Sequence, residues 1–239
     1  MHRFFTQQIN GDTAQITGED VRHIVKVLRL HSGDAVTLCD GMGRECSGVI
    51  TSLSNEEVVC SVGPLSPCQS EPSCQVTLFQ CLPKAGKMEL IVQKATELGA
   101  VGVIPVLSRR CVSQPSGNFS NKATRYQRVA LEAAKQSRRG IVPIFGELQP
   151  LDKLDITPFD AFFVAYEEEH AATLKSLIRS RERLDRVGIL IGPEGGFEAH
   201  EIEQLRSRGA IPVSLGPRIL RTETAGLAML AQILYEVEP

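Results

Sequence analysis

Residues 190–197 read Leu190-Ile191-Gly192-Pro193-Glu194-Gly195-Gly196-Phe197. The apolar residues up to Ile191 predict the end of a buried strand, and the glycines that follow predict a loop whose backbone N–H groups are open to a ligand. One Gly-Gly pair would indicate only a tight strand-to-helix turn. Three glycines with a proline and an acid at a strand end favour a binding loop, without identifying what it binds.

A second loop of this kind lies at residues 215–225, which read Leu215-Gly216-Pro217-Arg218-Ile219-Leu220-Arg221-Thr222-Glu223-Thr224-Ala225. Gly216 ends a predicted strand, and the Thr and Glu residues further on are typical of a helix start. Two arginines flank Ile219-Leu220, where we expect burial and where arginine is normally excluded. The helix over 225–234 is apolar nearly all round, which predicts burial on more than one side, in the core or at a subunit interface.

Between residues 74 and 239, short apolar runs alternate with helical apolar spacing. This alternation predicts an α/β fold with a parallel sheet covered by helices on both faces. Ligands on such sheets bind beyond the carboxyl ends of the strands, where both glycine loops are expected. The predicted strands are 75–82, 101–106, 142–145, 161–165, 187–191 and 212–215, and the predicted helices are 87–98, 121–138, 171–183, 198–208 and 222–235.

The first 66 residues have a different pattern, in which short alternating segments are separated by turns. Strands are predicted over 35–39, 45–53 and 57–62, together with one helix over 19–30. These features predict a small β-barrel domain at 1–66. Residues 67–73 are rich in proline and polar residues and predict a linker to the second domain at 74–239.

Composition indicates an ordinary soluble globular protein with an aliphatic core, since 42% of the 239 residues are apolar and only 5% aromatic. No segment approaches the roughly 20 continuous apolar residues of a membrane helix, and residues 1–8 have no apolar run long enough for a signal peptide. Seven cysteines without a Cys-x-x-Cys pair favour reduced, buried thiols in a cytoplasmic protein over a zinc site. Gln204 stands where a His-Glu-x-x-His site beginning at His200 would require histidine.

Charge is unevenly distributed along the chain, although the net charge is only −2. Residues 84–140 contain 11 Lys and Arg against 3 Asp and Glu, whereas residues 141–239 contain 10 against 16. A basic block in an otherwise acidic chain is typical of a phosphate-binding surface. A solvated helix face rich in Lys and Arg is the alternative, and charge alone does not separate the two.

The two loop motifs, one strand–helix unit apart, resemble those of the RsmE-type 16S ribosomal RNA uridine-N3 methyltransferases of the SPOUT superfamily. The resemblance extends to 23–29, 84–89, 93–99, 108–111 and 132–139 and so covers nearly the whole chain. Lys135 stands where many members of that family have an acid. The resemblance implies an α/β SPOUT fold with a deep C-terminal trefoil knot, a PUA-like barrel before it, and a homodimer. Knots are essentially absent from ordinary folds, so periodicity alone would not have predicted one.

The resemblance also implies an activity, the transfer of a methyl group from S-adenosylmethionine to N3 of a uridine in bacterial 16S ribosomal RNA. The substrate would be that RNA in the assembled small subunit, with no metal and no membrane involved. Three loops would hold the cofactor. The implied cofactor-binding residues are Ala165, Tyr166, Leu190, Ile191, Gly192, Pro193, Glu194, Gly195, Gly196, Leu215, Gly216, Ile219, Leu220, Arg221, Thr222 and Thr224.

Arg221 and Glu194 are the candidate catalytic residues. Arg221 would stabilise charge on the uracil oxygens, or would be structural and pair with Glu194 or Glu223. Glu194 would act as a general base or, the interpretation that we favour, only hydrogen-bond a neighbouring loop. Basic residues from both predicted domains would bind RNA phosphates. The candidate RNA-binding residues are Arg3, Arg22, His23, Arg29, Lys84, Lys87, Arg109, Arg110, Arg138 and Arg139.

Three other functions are compatible with parts of the sequence. A related SPOUT enzyme could methylate a ribose 2′-hydroxyl or another base, and an inactive RNA-binding module would bind no cofactor. The intact glycine loops argue against the module. A nucleotide-binding α/β protein fits poorly, because the sequence has neither Gly-x-Gly-x-x-Gly after a first strand nor a phosphate-binding Gly-x-x-x-x-Gly-Lys-Ser/Thr loop.

Overall fold

The protein is described by a computed structural model that covers residues 2–84, 86–113, 119–170 and 173–238. The chain forms two compact units. Unit 1 comprises Met1–Glu71 and Ala134–Val142, and unit 2 comprises Pro72–Ala133 and Pro143–Pro239. The first two residues of the helix predicted over 171–183, Ala171 and Ala172, lie outside the described residues.

Unit 1 is built on one mixed sheet of short strands. Its strands are β1 (His2–Phe5), β2 (Ile9–Asn10), β3 (Thr13–Thr17), β4 (Ala35–Cys39), β5 (Arg44–Leu53), β6 (Glu57–Val62) and β7 (Ser66–Pro67). Their order is β1-β4-β5-β6-β3-β2, with β7 paired to β5. In β3, buried and exposed residues alternate, so Ala14 and Ile16 face the core while their neighbours face solvent. The strands predicted at 35–39 and 57–62 are confirmed.

The helix predicted over 19–30 is present but is not one regular helix. It begins as α1 (Glu19–Arg22) and continues as a π-helical segment, His23–Leu28. Val21 and Ile24 are buried in the core of unit 1, as their spacing predicts. The segment ends at Arg29, whose φ of 53° lies in the left-handed region.

Residues 67–71 are folded against unit 1 rather than forming a linker. Pro67 ends β7, and Cys68 is buried. The carboxylate of Glu71 accepts hydrogen bonds from the Arg139 guanidinium at 2.6 Å and from the backbone N–H groups of Gly140 and Ile141. Because Arg139 is only 2% exposed, this ion pair fixes the segment to residues 139–141 within unit 1. The polar composition of the segment does not predict this ion pair, since a solvent-exposed linker would have the same composition.

Unit 2 contains a parallel sheet, as predicted. Its strands are β8 (Gln75–Cys81), β9 (Gly102–Leu107), β10 (Ile144–Phe145), β11 (Gln149–Pro150), β12 (Ala161–Ala165), β13 (Arg186–Ile191) and β14 (Ile211–Val213). Their order is β10-β9-β8-β13-β12-β14, with β11 paired to β9. The inner strands β12 and β13 are buried almost throughout, which is why their sequences read as continuous apolar runs.

The helices of unit 2 also follow the predicted order. They are α2 (Lys87–Leu98), α3 (Phe119–Gln136), whose last turn belongs to unit 1, α4 (Leu174–Arg179), α5 (Ala199–Ser207) and α6 (Thr222–Val237). α4 begins at Leu174, where Thr173 caps it by accepting a hydrogen bond from the N–H of Ser176, and it ends at Arg179, four residues before the predicted end. None of the described helices combines the length and apolar character that crossing a bilayer requires.

α6 packs against α2, β8 and β13. A Cβ at Gly226 would lie 3.2 Å from Leu78 and 3.3 Å from Ile191, so glycine allows this close approach to the sheet. The nearly all-round apolar sequence is therefore explained in part by burial within unit 2. Tyr235, near the end of α6, is 82% exposed.

All seven cysteines are free and buried, as predicted. Among the described residues, no group of three or more His, Cys, Asp or Glu side chains is placed to hold a metal ion.

Candidate functional site

The carboxyl ends of β12, β13 and β14 meet at one edge of the parallel sheet. The three segments that follow these strands line a cavity of about 850 Å³ within unit 2. This is the position at which open α/β sheets bind ligands, and it is where both glycine loops were predicted.

Most of the residues predicted to bind a cofactor line this cavity. These are Ala165, Tyr166, Ile191, Gly192, Pro193, Glu194, Gly195, Gly196, Leu215, Gly216, Ile219, Leu220, Arg221 and Thr222. Two are placed elsewhere. Leu190 lies inside β13 and is fully buried in the core, and Thr224 is exposed on the first turn of α6.

The cavity also has lining residues that were not among the predicted cofactor-binding residues. They include His170, Phe197, Ser214, Pro217, Arg218 and Ala225. Four of them lie within the two glycine motifs, and Ser214 directly precedes the second motif. His170 lies further from the end of its strand, and no local pattern indicates that the chain returns to the cavity there.

Glycine is favoured in the two loops by close packing at Gly192 and by backbone conformation at Gly196 and Gly216. A Cβ at Gly192 would lie 3.0 Å from the ring of Phe197, and one at Gly196 would collide with the carboxylate of Glu167. Gly196 and Gly216 also have positive φ values, 67° and 109°, which other residues rarely adopt. The loops therefore present backbone to the cavity in conformations that side chains would obstruct.

Lys87 joins the two loops electrostatically. Its ammonium lies 3.0 Å from Glu194 and 2.9 Å from Glu223. Burial raises the pKa of Glu194, but hydrogen bonds from backbone amides, including that of Lys84, and from Lys87 outweigh it and hold the pKa below its usual value. The hydrogen bond from Lys87 likewise lowers the pKa of Glu223. Lys87, predicted to bind RNA, is therefore already engaged by two carboxylates.

Arg221 is exposed and lines the cavity. Its alternative role was an ion pair with Glu194 or Glu223. Among the described residues both carboxylates contact Lys87, and Arg221 acts on Glu223 only through its charge, which contributes to lowering the pKa of Glu223. Ile219 is also exposed, to 89%, so the segment around it is not buried as the sequence suggested. Arg218 and Arg221, which flank this segment, are therefore solvated and do not need an acid to neutralise their charge.

Arg109 and Arg110 lie beside the first glycine loop. Arg110 donates a hydrogen bond to the carbonyl of Gly195 at 3.1 Å. The N–H of Arg109 donates to the buried carboxylate of Glu201, which also accepts from the N–H of Glu198 as part of the cap of α5. Both guanidinium groups stay largely in solvent, and each also lies near the Glu198 carboxylate, 3.8 to 4.0 Å away.

The remaining RNA-binding candidates fall into two groups. Arg3 is 13% exposed and pairs with Glu45 at 2.7 Å, and Arg139 is held by Glu71. Both side chains are engaged by acids and are largely or wholly buried, and their predicted role in RNA binding stays a prediction. The exposed candidates are Arg22, His23, Arg29 and Arg138 in unit 1 and Lys84, Arg109 and Arg110 in unit 2.

Family comparison agrees with this arrangement of units. A family described as an RNA methyltransferase domain matches residues 69–234, and one described as an RNA methyltransferase PUA domain matches residues 16–63. The first match includes every segment that lines the cavity.

Several relatives of this chain share the name ribosomal RNA small subunit methyltransferase E. The chain is 36% identical over 250 residues to a Bacillus subtilis ribosomal RNA small subunit methyltransferase E, covering all of this chain and 98% of the relative. It is 31% identical to the Mycobacterium tuberculosis protein of that name, covering 93% and 86%. A Neisseria gonorrhoeae ribosomal RNA small subunit methyltransferase E, solved bound to S-adenosyl methionine, matches with a TM-score of 0.85 at 28% identity over 99% of this chain and 98% of that one. The chain therefore belongs to the ribosomal RNA small subunit methyltransferase E family.

Proposed function

We propose that this protein transfers a methyl group from S-adenosylmethionine to N3 of a uridine in bacterial 16S ribosomal RNA. The observation that carries the proposal is the glycine-lined cavity at the carboxyl edge of the parallel sheet, in a chain of this family. The name of the relatives supports the RNA substrate, and the Neisseria protein bound to S-adenosyl methionine supports the cofactor.

The cavity fits a cofactor with an apolar ring system and polar ends. Leu215, Leu220 and Ala225 offer apolar surface for the adenine, while the backbone of the Gly192–Gly196 loop offers hydrogen-bonding groups without side-chain cover. When bound, S-adenosylmethionine supplies an electrophilic methyl group on a sulfonium. The cationic sulfonium is compatible with the carboxylates of Glu167 and Glu194 on the cavity wall.

The chain's own residues would position and stabilise the uracil. N3 of uridine becomes nucleophilic only when it loses its proton, which leaves negative charge on the ring and its two oxygens. Arg221, exposed at the cavity and paired with no acid among the described residues, is suited to stabilise that charge. Glu194, held ionised by Lys87 and backbone amides, is suited to fix its loop rather than to accept the N3 proton.

The fold supports a trefoil knot of the SPOUT type at the C-terminus. After β14, which pairs with β12 at the sheet edge, the chain returns through 214–221 to α6, which packs on β8 and β13. The hydroxyl of Thr222 then donates a hydrogen bond to the carbonyl of Gly192, so the second loop is tied to the first. We propose that this return passage threads the knot.

We assign RNA binding to the PUA-like domain at 1–66 and methyl transfer to the domain at 74–239. The exposed Arg22, His23 and Arg29 would contact phosphates in the first, and Lys84, Arg109 and Arg110 in the second. We further propose that the enzyme is a homodimer, that it acts in the cytoplasm and that its substrate is the assembled small subunit. The target base must be unpaired or flipped out to reach the cavity.

The test is methyl transfer itself. Purified protein would be incubated with methyl-labelled S-adenosylmethionine and small ribosomal subunits that lack the modification, with naked 16S RNA as a parallel substrate. After digestion, the label is expected in 3-methyluridine, and more strongly from subunits. Label in a ribose-methylated nucleoside or in another base would support a different methyltransferase of the same fold. No label together with no cofactor binding would indicate an inactive RNA-binding module.

A further inference from the structure

Gln80 is a fully buried polar residue near the carboxyl end of β8. It does not line the cavity, and no sequence motif points to it. Its side-chain amide donates hydrogen bonds to the backbone carbonyl of Cys81 at 3.1 Å and to the hydroxyl of Thr222 at 2.8 Å. A buried amide is costly unless it is paired, so these two contacts define what the residue does.

The orientation of this amide follows from its surroundings. If the amide were reversed, its oxygen would face the carbonyl oxygen of Cys81, which is repulsive. The nitrogen must therefore point toward both acceptors. The oxygen of Gln80, equally buried, has no hydrogen-bond partner within the part of the chain that the structure describes. The contribution of the amide is thus its two N–H donors.

Because Thr222 accepts from Gln80, its own proton is free to be donated elsewhere. It is donated to the carbonyl of Gly192 at 2.7 Å. The next residue is Pro193, which has no N–H, so this carbonyl is the sole hydrogen-bonding group of the peptide that joins the two residues. Thr222 is the first residue of α6 and Gly192 follows β13, so one directed chain of hydrogen bonds joins β8, the start of α6 and the first cavity loop.

We propose that Gln80 is a positioning residue for cofactor binding, acting through the hydroxyl of Thr222 on the loop at Gly192. The side-chain N–H of Gln80 donates to the Thr222 hydroxyl and so directs the hydroxyl proton toward the Gly192 carbonyl. The hydrogen bond to that carbonyl holds the first cavity loop in position. Thr222, predicted from the sequence to contact the cofactor, acts through this relay, because its one hydroxyl proton is donated to Gly192. The inference rests on the proposed function, since it assumes that the cavity binds S-adenosylmethionine.

The experiment measures binding of S-adenosylmethionine by calorimetry to the full chain and to point variants. Thr222→Val keeps the shape of the side chain and removes the hydroxyl, and Gln80→Met removes the amide. Each is expected to weaken binding roughly 10-fold, which corresponds to about 1.4 kcal/mol. Thr222→Ser restores the hydroxyl and is expected to bind within about twofold of the unchanged protein. In activity assays, KM for the cofactor should rise while KM for the RNA stays constant.

Thr96→Val is the matched control. Thr96 is buried in α2, away from the cavity lining, and its hydroxyl donates to the carbonyl of Val92 at 2.8 Å. This variant also loses a buried hydroxyl but is expected to retain cofactor affinity. The double variant Gln80→Met/Thr222→Val should bind no more weakly than Thr222→Val alone, because both changes break one chain of hydrogen bonds.

Three results would overturn the inference. They are unchanged affinity in a folded Gln80→Met or in Thr222→Val, equal loss in Thr96→Val, and additive losses in the double variant. If Gln80→Met does not fold, Gln80→Leu, which also lacks the donor N–H, takes its place in each comparison. Failure of the unchanged protein to bind S-adenosylmethionine would instead remove the proposed function, and the inference with it.

Discussion

Lys87 lies between two carboxylates that belong to different cavity loops, so its removal leaves two like charges with nothing between them. We predict that Lys87→Met weakens binding of S-adenosylmethionine several-fold, because both loops lose the contact that joins them. Calorimetry measures this. Lys94→Met is the control, since Lys94 pairs with Glu97 on the surface of the same helix. Equal effects in the two variants would contradict the proposed role of Lys87.

In unit 1, Glu71 forms an ion pair with the buried Arg139. Burial raises the pKa of this carboxyl, but Arg139 and two backbone amides outweigh it and lower the pKa overall. A carboxyl with a lowered pKa stabilises the fold fully above its ordinary pKa, and that stabilisation is lost as the pH falls through the value in the folded protein.

We therefore predict that Glu71→Gln lowers stability at neutral pH by about 3 kcal/mol, because it removes the negative charge from a buried ion pair with Arg139. Denaturant unfolding between pH 7 and pH 3 measures this. The difference between variant and unchanged protein should shrink toward acid pH. A difference that stays constant over the whole range would show that the charge of Glu71 is unimportant.

At the scale of single elements, the end of α2 shows how two constraints meet at one residue. Gly99 has a φ of 112° at the C-cap, and a Cβ there would lie 2.7 Å from Pro72 and 2.9 Å from Leu234. Gly209, just after α5, has a φ of 99° but no neighbour within 4 Å of that position. An added side chain would meet an unfavourable backbone conformation at both positions, but it would overlap neighbouring atoms only at Gly99.

We predict that Gly209→Ala costs about 1 kcal/mol of stability, from the left-handed backbone alone. Gly99→Ala should cost about 2 kcal/mol or more, because packing must also shift. Thermal unfolding of both variants measures the difference. Equal losses of stability in the two variants would mean that Pro72 and Leu234 move aside without a measurable loss of packing energy.

Elements were predictable where a local signal marks their ends. α2 was predicted with the observed bounds because its apolar spacing is regular and Gly99 ends it. The π-helical segment at His23–Leu28 was not predictable, since its apolar spacing also fits an ordinary helix. Strands β1 and β3 were missed because their partners β4 and β6 are distant in sequence, and β2 because it has only two residues.

The cavity could be placed from the sequence because both glycine motifs follow strands of a parallel sheet. The ion pairs around it could not be. The partners of Lys87 lie more than 100 residues away, and no local pattern relates them. The same applies to Arg3, whose acceptor Glu45 lies on another strand, and to Gln80. The sequence shows which side chains are charged, but only the folded structure shows which of them form ion pairs.

At the scale of the whole molecule, RNA binding should depend on exposed cations and not on those already paired. We predict that Arg22→Ala weakens binding to 16S RNA and reduces the slope of log affinity against log salt by about one, as expected for one lost phosphate contact. Filter binding at several salt concentrations measures this. Arg183→Ala is the control, because Arg183 is also exposed but pairs with Asp185 outside the predicted surface. A salt slope that is unchanged in Arg22→Ala would remove this residue from the RNA surface.

The cavity at the carboxyl edge of the unit 2 sheet is proposed to bind S-adenosylmethionine. Hydrogen–deuterium exchange of the full chain with and without this cofactor tests it most directly. We predict slower exchange of the backbone amides in 194–196 and 215–224, and no change in α4, which lies outside the cavity lining. Protection confined to other segments, or no protection at saturating cofactor, would contradict the account.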